Sequence, residues 1–294
     1  MMSKIARILC LTVVGYGLLL DSQAHARVEM AAQRYLDVKE GIKDVAVSHN
    51  GKWIYVLTPK GEVMVYSGSG QFDDRIEVGK AVDSIQIGPT EETLVLTSST
   101  ENRIRIMVLD FIKKINTAGS PFKGREDAPV VITVFSEFQC PYCATLAPVL
   151  DQVLQKHQGR VKIVFKNFPL RNHRFAMAAS AAALAGHKQG RFWEFHDLLF
   201  QKVDRLSNET IQETASQLGL DMERFKKDMQ SEEVMALIRQ DMSDGAEAGV
   251  AGTPSVFVNG RLLRDRSLQG FDSVIAREGK QTLEANPPSE AKKR

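Results

Sequence analysis

The apolar positions change their spacing several times along the chain. An unbroken apolar run, Ile8 to Leu20, stands near the start. Between residues 34 and 118 the spacing is that of short alternating strands, broken by turn residues at His49-Asn50-Gly51, Pro59-Lys60-Gly61 and Gly68-Ser69-Gly70. "GSPFKGREDAP", rich in Gly, Pro and charge, reads as a linker. Val130 to Phe135 follows, a β-branched run suited to a strand buried on both faces. Ala144 to His157 has helical spacing, and Val161 to Phe165 is a second buried strand. Residues 174–245 read as several helices, with Ser207 and Asp221 as N-caps. Ser255 to Val258 forms a third strand, turning at Asn259-Gly260 into a fourth at Leu262 and Leu263. Gln269 to Arg277 is a closing helix, and "NPPSEAKKR" a polar tail.

The alternating region repeats itself. "YLDVKEGIKDVAVSHNGKWIYVLT" from Tyr35 aligns with "RIEVGKAVDSIQIGPTEETLVLTS" from Arg75, matching Val45, Val47, Ile54 and Val56 to Ile85, Ile87, Leu94 and Leu96. After a one-residue insertion, Val63 and Val65 match Ile104 and Ile106. A repeat of this size and strand content resembles a β-propeller blade. Two blades cannot close a ring that takes at least about four. Their open faces and edges are therefore expected to be covered, either by the C-terminal domain or, as preferred here, by a second copy, which makes residues 27–117 an all-β domain with a role in homo-oligomer formation. An inert β-rich spacer is the plainer alternative.

Composition narrows the functional classes. With 38 basic and 36 acidic residues the net charge is +2, which provides no basic field for nucleic acid, and nucleic acid is dropped as a partner. Lys4 and Arg7, the apolar run and Ala24-His25-Ala26 together read as a cleaved export signal over residues 1–26, with Arg27 the first mature residue. Asp21 ends the run short of a membrane span. Export to the periplasm or beyond is expected, and Cys10 leaves with the signal.

Only Cys140 and Cys143 remain, within "EFQCPYCATLAP". They could be a redox pair, half of a metal site or two small buried side chains. A bridge across two residues closes almost no loop and stabilises little. A closed zinc site needs two further ligands, and the chain has no second cysteine pair and no close histidine pair, so no metal is expected. Phosphate-binding fingerprints are absent, no cofactor is expected, and Phe192, Trp193 and Phe195 read as core.

A strand, Cys-x-x-Cys opening a helix, more helices, then Thr-Pro entering a hairpin is a specific combination. Through "FKGREDAPVVITVFSEFQCPYC" and "GTPSVFVNG" the chain resembles the DsbA-like thiol:disulfide oxidoreductase family. The resemblance implies an α/β thioredoxin fold over residues 118–285, with a helical insertion at about 171–247, following the all-β domain and leaving 286–294 as tail. Pro148 stands where proteins of this fold commonly carry a kinking proline in the helix after the cysteines. In this family the proline matching Pro254 is cis and lies against the disulfide, while the residue before it, Thr253, pairs with an extended substrate peptide.

The chemistry of the pair follows from its position. Cys140 at a helix N-terminus is stabilised as thiolate and attacks; Cys143, one turn deeper, resolves the mixed disulfide. Pro141 suits the first helical turn, where a missing N–H costs nothing. Pro141 and Tyr142 are expected beside the substrate. The strongly oxidising family member has His in the position of Tyr142 and an attacking thiol with pKa ~3.5, so a less oxidising pair is expected here. Thr253 resembles the isomerase side of the family, whose dedicated oxidase has Val. One departure stands out: the buried acid that family members often carry six residues before the attacking cysteine is replaced by Val134. Glu137 is the candidate for proton transfer in its stead, and Lys166 is a weaker one, since it can equally be a solvated residue at a strand end.

Three functions remain open. The first is an exported oxidoreductase that exchanges disulfides with cysteine-containing proteins and is recycled by a membrane redox partner. The second is a dimeric isomerase or reductase using the same cysteines, and the third a peptide-binding or chaperone module without turnover.

Overall fold

A computed structural model describes residues 31–285, so the expected export signal and polar tail lie outside the described residues. The described chain forms two compact units, one of residues 31–91 and 95–105, the other of 92–94 and 106–285.

The first unit is all-β. Strands β1 (Asp44–Val47), β2 (Trp53–Leu57), β3 (Glu62–Ser67) and β4 (Phe72–Glu77) form one antiparallel meander. A second sheet contains β5 (Ser84–Ile87), β6 (Thr93–Ser98) and β7 (Arg103–Val108) in that order. β1, β2 and β3 correspond through the repeat to β5, β6 and β7. Asp44 Oδ2 accepts a hydrogen bond from the Ile85 amide at 2.8 Å, tying the first strand of one repeat to the first of the next. The sheets stay open, four strands and three, with no closed ring among the described residues. β4 has no counterpart in the second sheet. As a result Val63 and Val65 of β3 are buried, while their equivalents Ile104 and Ile106, with Val108, lie exposed on the edge strand β7.

The second unit is built on a five-stranded sheet of order β12-β11-β9-β10-β8, whose edge strands are β8 (Phe122–Gly124) and β12 (Arg261–Leu262). Its centre is β9 (Val130–Ser136), the β-branched run, parallel to β10 (Val161–Asn167) and antiparallel to β11 (Ser255–Val258). On one face Val130, Ile132, Val134, Ile163 and Val256 pack with Leu146, Leu150 and Val153 of α1 (Pro141–Lys156) and Phe271 and Ile275 of α7 (Leu268–Ala285). Each such buried aliphatic side chain contributes about 1.5–3 kcal/mol. Between β10 and β11 come five helices: α2 (Ala176–His187), α3 (Phe192–Gln201), α4 (Asn208–Gln217), α5 (Met222–Met229) and α6 (Glu232–Ala248). Ser207 and Asp221 cap α4 and α5, accepting from the amides of Thr210 and of Glu223 and Arg224. The Ala-rich α2 is buried on nearly all sides, and its Gly186 admits the Phe195 ring: a Cβ there would lie 3.3 Å from it.

Two sequence readings change. The stretch read as linker contains β8 (Phe122–Gly124), which pairs antiparallel with the edge of β10 and has Lys123 tied to Asp151 at 2.8 Å. Upstream of it, the Lys113 amide donates to Gly260 O at 2.8 Å, so close that a Cβ on Gly260 would collide with the Lys113 carbonyl. Gly260 (φ 81°) and Asn259 (φ 47°) form the hairpin turn from β11 into β12 (Arg261–Leu262). Lys166, read as a solvated strand end, is instead fully buried, between Asp241 and Asp244 of α6 at 2.7 and 2.6 Å and the Asn116 carbonyl at 2.8 Å. Its alternation along β10 turns it to the face covered by α6, where only a paired charge is tolerated.

Candidate active site

β9 ends at Ser136, and the chain passes through Glu137 and Gln139 to Cys140, the N-cap of α1 with extended backbone geometry. Pro141 fills the first helical position. No acidic side chain stands in the first turn of α1, so nothing there opposes negative charge at its N-terminus. The amides of Cys143 and Ala144 donate to the Cys140 carbonyl at 3.1 and 3.2 Å, which winds the second cysteine beneath the first.

Both cysteines are buried free thiols. The Cys143 thiol hydrogen-bonds the Cys140 sulfur, and with the backbone N–H groups of Tyr142 and Cys143 this outweighs burial and lowers the Cys140 pKa to about 5. At pH 7 only about one Cys140 in a hundred would remain protonated. Cys143 moves the other way. Burial, then its bond to Cys140, holds its pKa well above the usual thiol range, so it keeps its proton.

Across from the pair, the Thr253–Pro254 peptide bond is cis, and the Cys140 thiol donates to Thr253 O at 3.4 Å. Ionisation of Cys140 removes that donor and leaves the carbonyl open to an incoming N–H. A groove of about 350 Å³ opens here between Tyr142, Thr145 and Val149 on one wall and Thr253, Pro254 and Arg266 on the other. Arg266 donates to the Pro254 carbonyl and so braces that wall. Tyr142 is 76% exposed.

Glu137 is fully buried. Its Oε2 accepts from the Gln139 amide at 2.7 Å, and its Oε1 lies 2.5 Å from Nδ1 of the partly exposed His173. Burial is the main cause of its raised pKa, with a further push from Cys140, against the bonds from Gln139 and His173. The structure therefore gathers Cys140, Pro141, Tyr142, Cys143, Glu137, Thr253 and Pro254 in one place. His173 and Arg266 carry no signal in the sequence: each lies in a short polar run, Arg171 to Arg174 and Arg264 to Ser267, that reads as ordinary surface. Among the described residues no group of three or more His, Cys, Asp or Glu could hold one metal ion.

The family whose description is Thioredoxin matches residues 116–277, more than half of the chain. The chain belongs to the thioredoxin family. Among curated relatives, the probable disulfide bond formation protein D of Bacillus anthracis is 34% identical over 162 residues, 51% of this chain and 73% of that one. The Na(+)/H(+) antiporter NhaA 3 of Salinispora tropica is 32% identical over 177 residues, 60% of this chain but 26% of its own length. The chain thus spans about a quarter of such antiporter relatives. Among solved structures, oxidised BdbD of Bacillus subtilis superposes with a TM-score of 0.53 at 21% identity, covering 58% of this chain and 98% of that one. That likeness supports the thioredoxin fold with its helical insertion.

Proposed function

We propose that the protein is an exported thiol:disulfide oxidoreductase that exchanges disulfides with cysteine-containing polypeptides through Cys140 and Cys143. The opposed environments of the two sulfurs carry this reading: one ionised at a helix N-terminus, the other protonated beneath it. In the oxidising direction a substrate thiolate attacks Cys140, the Cys140–Cys143 bond breaks, and Cys143 leaves and takes a proton. A second substrate thiolate then displaces Cys140, which departs as thiolate while the substrate gains its disulfide. Two electrons and, on Cys143, one proton have passed to the protein, and the second proton stays in solvent. The backbone of Thr253 and the groove beside Tyr142 suit an extended peptide. Recycling falls to a membrane-held redox partner.

Trapping tests the reading. The Cys143→Ala variant of the mature chain, incubated with a scrambled, disulfide-containing exported protein, should accumulate mixed disulfides through Cys140. Absence of any adduct would leave a peptide-binding module. Thiolate absorbance should titrate with a midpoint near the pKa of about 5. Direction is read on scrambled ribonuclease: renaturation marks an isomerase, and oxidation of reduced substrate alone marks an oxidase.

An isomerase acting as a dimer has one observation in its favour. The first repeat covers Val63 and Val65 with a fourth strand, while the second leaves Ile104, Ile106 and Val108 bare on an edge strand. A second copy supplying a strand there would complete the blade-like sheet, which is the role we assign to the N-terminal unit.

A further inference from the structure

Strand β9, which leads to the cysteines, offers the resolving thiol no acid. Val134 is buried where such a group would be expected, yet Cys143 is held protonated and must shed and regain that proton in each exchange. Glu137 is occupied elsewhere. Its two oxygens serve Gln139 and His173, and the sulfur whose charge it feels is Cys140.

Beneath Cys143 lies a small cavity lined by Cys143, Ser136, Lys123, Asp151, Trp193 and His196 together with apolar side chains, Val134 among them. It offers about 20 Å³ to the centre of a water-sized sphere, room for a single water with polar partners at hand. His196 comes from α3, is 5% exposed, and is caged by the rings of Phe138, Phe165 and Phe200. Its Nδ1 stands 2.7 Å from Asp197 Oδ1. A carboxylate only accepts, so Nδ1 carries the hydrogen and the lone pair of the neutral ring is on Nε2. Asp197 is half exposed, and Lys123 on β8 and Asp151 on α1 are the other charged groups facing the ring. Burial lowers the His196 pKa against the pull of Asp197, which keeps the ring neutral and able to accept.

We infer that His196, oriented by Asp197, accepts and returns the Cys143 proton through one water in this cavity. The inference rests on the Cys140/Cys143 reading above. When Cys143 resolves a mixed disulfide, its S–H proton passes to the water and a proton from the water to Nε2. The freed thiolate attacks Cys140, the Cys140–Cys143 bond forms, and the bond to the substrate breaks, releasing a substrate thiolate. The imidazolium is stabilised by Asp197. In the reverse direction the same proton returns to Cys143 as it leaves the disulfide.

Ellman's reagent separates the two sulfurs. Attack by Cys140 on the mature chain releases one thionitrobenzoate and leaves a second bound; attack by Cys143 releases the second. With His196→Gln the second release at neutral pH should slow at least about tenfold, with the first unchanged, and should recover toward wild type as hydroxide takes over at alkaline pH. Asp197→Asn should slow the second step in the same pH-dependent way. A folded His196→Gln whose second step stays within about twofold of wild type across the pH range overturns the inference, as does equal slowing of both steps. Should His196→Gln fail to fold, Asp197→Asn at a half-exposed position decides by the same criteria. Failure of the first release would instead strike at the Cys140 reading itself.

Discussion

Tyr142 stands between the two cysteines with most of its ring in water and no charge to lend the sulfur beside it. The lowered pKa of Cys140 is instead achieved by the Cys143 thiol and backbone amides. Replacing Tyr142 with His should add a cationic imidazole, lower the thiolate midpoint by roughly one unit and make the disulfide more oxidising. Absorbance titration and equilibration with glutathione measure the two effects. The same depressed pKa sets how the reduced protein responds to pH. Its folded value of about 5 lies below the unfolded 9.0, so the stability that Cys140 contributes is complete above pH 9 and lost as pH falls through 5. The oxidised form has no such thiol. The melting temperature of the reduced protein, measured against the oxidised, should therefore fall as pH is lowered from 9 to 5.

Among the elements, β10 and α6 are joined by the buried charge of Lys166. Lys166→Met should destabilise the protein by about 3–5 kcal/mol, because Asp241 and Asp244 are left buried and unpaired. Burial already raises the Asp241 pKa against the pull of Lys166. The loss should shrink in acid, where Asp241 can take up a proton, and denaturant unfolding at two pH values checks this. Strand and helix types were legible in sequence wherever one residue class ran on: the β-branched β9, the Asn259-Gly260 turn, the Ala-rich α2. The cysteine pair and Thr253-Pro254 were legible as motifs, although they lie over a hundred residues apart. What stayed hidden depended on partners distant in sequence. Lys166 looks like any surface lysine until α6 supplies its acids, and β8 looks like a linker until the edge of β10 pairs with it. His196 sits within an aromatic helix whose spacing says only that it is core.

At the scale of the whole molecule, the two repeats differ in the strand that one has and the other lacks. If a second copy fills that place, Ile104→Lys with Ile106→Lys in the mature chain should shift light-scattering mass to the monomer while Cys140 keeps its thiolate titration. Equal masses for both proteins would remove the assembly. The cavity beneath the cysteines has a consequence of another kind. One of the chain's two tryptophans, Trp193, lines it beside Cys143, with its indole N–H held by the Phe122 carbonyl at 2.8 Å. Closing the disulfide places a quencher near that indole, so the protein carries a built-in optical gauge: its fluorescence should dim on oxidation and brighten on reduction, letting electron flow be followed with no dye attached.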